Sequence, residues 1–219
     1  SSIAFNSLTV STIGSNNYNV YKTLESKRPY ANSDLLTLSL CASNTARAKY
    51  VEFKTPYLVK GKYKVWICYA QNNDAAELQA VFNPGKGDQQ ILPNTIILNA
   101  SLSASGVTDL NDPNADNLML SQGYKRYMAT VGDFNANNIT GGLKAKTGGE
   151  AGLNVGRMAG TINVETTDRH IIRLEAIKDK KCGNNIVYLD MIHFIPADDL
   201  EQNYPRFHQI PGELFYRPK

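Results

Sequence analysis

The sequence predicts an all-β fold, an antiparallel β-sandwich. Apolar residues recur with a period of two, Gly, Pro, Asn and Asp punctuate short runs, and helical periodicity is scarce. Many short strands with turn signals between them are the pattern of a jelly-roll-like sandwich.

"DLLTLSL" (34–40) is the first clear strand near the start. In "YVEFK" (50–54), Val51 and Phe53 alternate with Glu52 and Lys54, the mark of a half-buried strand. After Gly61 the signal repeats: Tyr63, Val65, Ile67 and Tyr69 share one face, and Lys62, Lys64, Trp66 and Cys68 the other. "AELQAVF", "NTIILNA", "GTINVET" and "RHIIRLEAIK" read as further strands. "NPGKGDQQ" (83–90) reads as a hairpin turn, since it lacks the glycine–lysine spacing of a phosphate loop. The last strand, "NNIVYLDMIHFIP" (184–196), is apolar yet carries Asp190 and His193. Alternation places Asp190 with Ile192 and Phe194, and His193 with Leu189, Met191 and Ile195.

Short helices are expected near Asp116–Tyr127 and Asp198–Asn203. Residues 102–117 and 131–156 read as loop excursions, the places where a rigid sandwich usually carries binding. The expected organisation is one domain over 1–197 and a C-terminal extension over 198–219. That extension is rich in aromatics and prolines, so it is expected to pack back on the sandwich or on a neighbouring domain.

With 219 residues, 42% of them hydrophobic and 20% charged, the chain has enough material for one substantial core. The net charge of +3 is spread without a basic block, which argues against a nucleic-acid partner. No apolar run approaches the roughly 20 residues of a membrane helix, so direct membrane insertion of this segment is not expected. The first residues carry neither Met nor a basic leader and read as the start of a processed or trimmed chain. Cys41, Cys68 and Cys182 show no metal-type spacing; one disulfide plus a free thiol, or three free thiols, both fit.

Catalytic patterns do not stand out, and an enzyme is not expected. Asp198, Asp199 and Glu201 follow the last strand, where such residues start a turn or cap a short helix. No G-x-S-x-G elbow occurs, and the three histidines lack zinc-protease spacing. Asp109, Asp112 and Asp116 read as a metal-free Asp/Asn-rich loop, lacking the Gly and terminal Glu of a calcium hand. His193 reads as a satisfied core residue. Sugar recognition needs an aromatic plane beside hydrogen-bonding side chains. Trp66, on the polar side of its strand and so either exposed or covered by a loop, is one candidate platform; Tyr124 and Tyr127, flanking Lys125 and Arg126, are others.

"AKYVEFKTPYLVKGKYKVWICYA", "GRMAGTINV" and "DRHIIRLEAIKDKKCGNNIVYLDMIHFIP" together resemble galactose-binding-like β-sandwiches, especially family-six carbohydrate-binding modules. Phe53, Pro56, Gly61, Tyr63 and Val65 fill the early pattern, and Leu174, Gly183, Leu189, Asp190, Ile192, Phe194 and Pro196 the closing hairpin. The order and spacing cover about two thirds of the chain and are similar to modules of surface lipoproteins of sugar-harvesting bacteria.

The resemblance implies a non-catalytic carbohydrate-binding module, at the cell surface or secreted, lipid-anchored through a part N-terminal to this chain. The alternative is a structural or adhesion module making contacts with neighbouring domains and no sugar. In such modules an Asn just before the final "LD" reaches the sugar cleft; here Tyr188 stands there, with Asn184 and Asn185 in the same loop as substitutes. The resemblance also implies calcium held in part by Asp190. The first strand, "SLTVSTI", lacks the acids to complete that site, so a buried hydrogen bond or a pair with Arg173 is expected instead.

Overall fold

The computed structural model describes residues 8–10, 18–22, 34–41, 48–70, 77–98, 102–107, 112–126, 154–178, 186–200, 202, 207–209 and 216–218. Its strands are β1 (Leu8–Val10), β2 (Tyr18–Lys22), β3 (Asp34–Ser39), β4 (Tyr50–Leu58), β5 (Gly61–Ala70), β6 (Glu77–Phe82), β7 (Gln90–Ile91) and β8 (Ile96–Ile97). A helix, α1 (Ala115–Ser121), then leads to β9 (Tyr124–Arg126), β10 (Asn154–Val164), β11 (Asp168–Lys178), β12 (Ile186–Pro196), β13 (Phe207–Gln209) and β14 (Tyr216–Pro218).

Two antiparallel sheets form the sandwich. One runs β1-β4-β11-β6-β7, with β8 also on β6; the other runs β2-β3-β12-β5-β10-β9. Neighbouring long strands in the sequence lie in opposite sheets: β4, β6 and β11 in the first, β5, β10 and β12 in the second. This is the jelly-roll sandwich expected from the alternating pattern. The core follows the inward faces: Val51, Phe53, Leu78, Phe82, Ile172 and Leu174 meet Val65, Ile67, Tyr69, Ile162, Ile192 and Phe194.

Two irregularities redirect side chains. On β4, Thr55 and Pro56 together oppose His170 alone, because Lys54 pairs with Ile171 and Tyr57 with Arg169. This bulge reverses the alternation set by Val51 and Phe53, so Tyr57 points to solvent. Thr55 closes the bulge: its Oγ1 accepts from the His170 N–H and donates to the Pro56 carbonyl, both at 2.8 Å. On β12 the register slips between Leu189, opposite Tyr69, and Met191, opposite Cys68. Leu189 therefore shares the core face of Tyr69 rather than the face of His193, contrary to plain alternation.

The helix expected over 116–127 ends at Ser121, and Gly123, with φ 72°, turns the chain into β9. Of the strand expected over 94–100, the described residues 94–98 hold β8 at Ile96–Ile97, and 83–89 forms the expected hairpin turn around Asn83. Where a short helix was expected over 198–203, residues 197 and 198 form a turn closed by the Asp199 N–H, which donates to the Pro196 carbonyl at 3.1 Å; 201 and 203 lie outside the described residues. No described helix is long and apolar enough to cross a membrane.

Candidate functional site

The outer face of the second sheet is closed by a polar network rather than left open. Trp66 and His193 are cross-strand neighbours on β5 and β12. Trp66, 1% exposed, donates its indole N–H to Gln202 Oε1 at 3.1 Å. Gln202 in turn donates to the carbonyls of Pro196 and Asp199, which fastens the chain just past β12 onto the sheet. Thus the loop cover considered for Trp66 is what the structure shows, and its ring presents no open platform.

Lys125 completes this network and is fully buried. It starts from the edge strand β9 and crosses β10 at Gly156, its register partner. A Cβ on residue 156 would lie 2.8 Å from Lys125 Cγ and 3.3 Å from Cys68 Sγ, so only glycine leaves room for the lysine stem. Beyond it, Lys125 Nζ lies 4.8 Å from the Trp66 ring centroid, 3.2 Å from His193 Nδ1 and 3.1 Å from the Gln202 carbonyl, to which it donates. Burial first, and the Lys125 ammonium second, hold the His193 imidazole well below its ordinary range. The neutral ring accepts at Nδ1, which puts its proton on Nε2, beside Met191 Sδ. Cys68 is a free, buried thiol pushed up to about 12, chiefly by burial. Cys41, by contrast, is disulfide-bonded.

Tyr124 is buried, with the Arg157 guanidinium 4.5 Å above its ring, so it too offers no open face. Tyr127, Asn184 and Asn185 lie outside the described residues. The backbone of Tyr188 pairs with Thr37 and Ala70 inside the sheet. Asp190 is buried, and Arg173 binds Glu52 at 2.6 Å and approaches Glu175 at 3.8 Å, both on the other sheet. Of the two expectations for Asp190, a buried hydrogen bond or a pair with Arg173, the second is corrected: Arg173 pairs with Glu52. Asp112 Oδ1 accepts from the Asn114 N–H at 2.8 Å, a turn role at the start of α1. Among the described residues no three metal-type side chains cluster.

Among the described residues, an open surface with a cleft lies at the β4–β5 end. Tyr57 is 65% exposed, with the Arg169 guanidinium 5.2 Å from its ring centroid. The hairpin that follows walls a cleft of about 410 Å³, bounded by Lys60 to Tyr63 on one side and Pro196 to Asp198 on the other. The frame is fixed by hydrogen bonds. Tyr63 Oη donates to the Val59 carbonyl at 2.8 Å, Lys60 N–H to Thr167 Oγ1 at 2.9 Å, and Ala197 N–H to the Lys62 carbonyl at 2.9 Å. Its volume falls in the roughly 300–1,000 Å³ range of small-ligand sites. Sequence reading missed Tyr57 because alternation from Phe53 turns it inward. Pro56 within the strand was the available signal of a bulge.

No family model matches the sequence, and no curated protein matches it. Among solved structures, the chain is similar to a xanthan lyase of Paenibacillus, with 13% identity, TM-score 0.48, and coverage of 89% of this chain and 12% of that one. It is also similar to TmCBM61, solved in complex with beta-1,4-galactotriose, with 12% identity, TM-score 0.43, and coverage of 88% and 90%. A third is the K1 cleaved adhesin domain of Lys-gingipain from Porphyromonas gingivalis W83, with 11% identity, TM-score 0.35, and coverage of 86% and 96%. The chain thus spans about an eighth of the xanthan lyase and nearly the whole of the other two.

Proposed function

We propose that this chain is a non-catalytic carbohydrate-binding module of a cell-surface or secreted protein, and that it meets its glycan at the β4–β5 end. The observation that carries the reading is Tyr57, an aromatic ring turned outward by a bulge, partnered by Arg169 and followed directly by the cleft. A sugar ring stacks its C–H face on such an aromatic, and its hydroxyls take hydrogen bonds from a guanidinium and ammonium groups. The Cys41 disulfide fits an oxidising compartment outside the cytosol. Residues 198–219 serve as an extension whose first turn docks through Gln202.

A glycan array probed with the native chain and with Tyr57→Ala tests this. Because Tyr57 is exposed, its loss leaves the fold intact while binding falls; hits unchanged by Tyr57→Ala would move the site elsewhere. A folded sample silent on the whole array would favour the structural or adhesion module instead.

A further inference from the structure

We propose that the cleft between the β4–β5 hairpin and the end of β12 selects an acidic saccharide, a uronate whose carboxylate sits between Lys60 and Lys62. The inference rests on the glycan-binding reading above and specifies its ligand class.

Charge and position carry it. Lys60 and Lys62 border the cleft on the hairpin side and are solvent-exposed, and neither ammonium has an ion-pair partner among the described residues. The cleft is lined by one acid, Asp198, on the opposite wall, so its two lysines leave it net positive. Arg169, stacked on Tyr57, adds a further cation at the same end. The half-buried Tyr63 ring, pinned by its hydroxyl to Val59, supplies a fixed wall. Two lysines bordering a cleft with an aromatic wall suit a planar carboxylate carried on a pyranose better than a neutral sugar. A carboxylate gains charge-assisted hydrogen bonds from the ammonium groups that a neutral sugar does not.

The position differs from the one the resemblance implied. Tyr188 and Pro196 stand opposite Ala70 and Tyr63, at the two ends of the β5–β12 ladder. Eight residues of strand separate them, about 26 Å at 3.3 Å per residue. The cleft is therefore at the far end of the sandwich from Tyr188.

The experiment titrates the intact chain with oligogalacturonate, its methyl ester, alginate and hyaluronan oligosaccharides, neutral galactan and xylan oligosaccharides, and poly-glutamate, by calorimetry. The expected result is binding to at least one uronate, lost on methyl esterification. Lys60→Ala and Lys62→Ala should each weaken it about two- to fivefold, as for exposed ion pairs. Binding should also weaken between about 0.05 and 0.5 M salt. Asp198→Asn should strengthen it. Neutral glycans binding as well as uronates, in a manner dependent on Tyr57, would overturn the acidic selectivity and leave the glycan reading standing. Binding of poly-glutamate with every glycan silent would replace the saccharide by an acidic peptide. Silence across all probes would overturn both readings.

Discussion

Lys125 Nζ and His193 Nδ1 lie 3.2 Å apart beside Trp66 and Gln202, although β9, at the sheet edge, is separated from β12 by β10 and β5. A lysine with no exposed surface is costly unless its donors are used. Here they reach an imidazole and a carbonyl and face an indole ring. The contact joins the excursion that includes α1 and β9 to the segment that follows β12.

Gly156 makes that reach feasible, so Gly156→Ala should destabilise the fold by about 1–3 kcal/mol through overpacking against the Lys125 stem. Lys125→Ala alone should cost about 2–5 kcal/mol, from lost packing and orphaned acceptors. Chemical denaturation of the double variant should show less than the sum, with a coupling of about 0.5–3 kcal/mol. Strict additivity would place the lysine stem elsewhere.

His193 gives the fold an acid sensitivity. Its imidazole is held well below its ordinary value in the folded chain, so in a window that opens downward from about pH 6.5 the unfolded chain binds a proton that the folded one does not. The stability from His193 is complete above pH 6.5 and falls as pH drops through that window, by up to about 1.4 kcal/mol per pH unit. Denaturation midpoints from pH 8 to 5 should show this slope, and His193→Gln should flatten it.

Cys68 and Cys41 should behave oppositely toward thiol reagents. The Cys68 thiol, buried and pushed up to about 12, should resist alkylation in the native chain and react on unfolding. Cys41 should stay blocked in both states until a reductant opens its disulfide. Mass spectrometry after alkylation reads both outcomes.

Trp66 should matter for stability rather than for ligand. Trp66→Phe removes the N–H that meets Gln202 and should cost about 1 kcal/mol. Trp66→Ala should cost about 3–5 kcal/mol. Glycan affinity of the folded Trp66→Phe chain should equal that of the native protein.

The two-sheet architecture was legible because β4, β5 and β11 carry period-two alternation and because turn residues bound each strand-like run. What escaped the sequence was where that period breaks. Alternation grouped Leu189 with His193 and, extended from Phe53, gives no sign that Tyr57 faces outward, since a bulge adds one residue without leaving a gap in the hydrophobic pattern. Trp66 stood correctly on the face away from the core. Whether it was exposed depended on Gln202, 136 residues away, and on Lys125 crossing Gly156. Such long-range contacts have no local signature.

The most direct test of the account maps the glycan on the chain by amide chemical-shift perturbation, using the strongest ligand from the array. The account predicts shifts concentrated at residues 57–63, 167–169 and 196–198. Shifts confined to the opposite end, around Ala70 and Tyr188, would contradict it and place the sugar at the loop between β11 and β12.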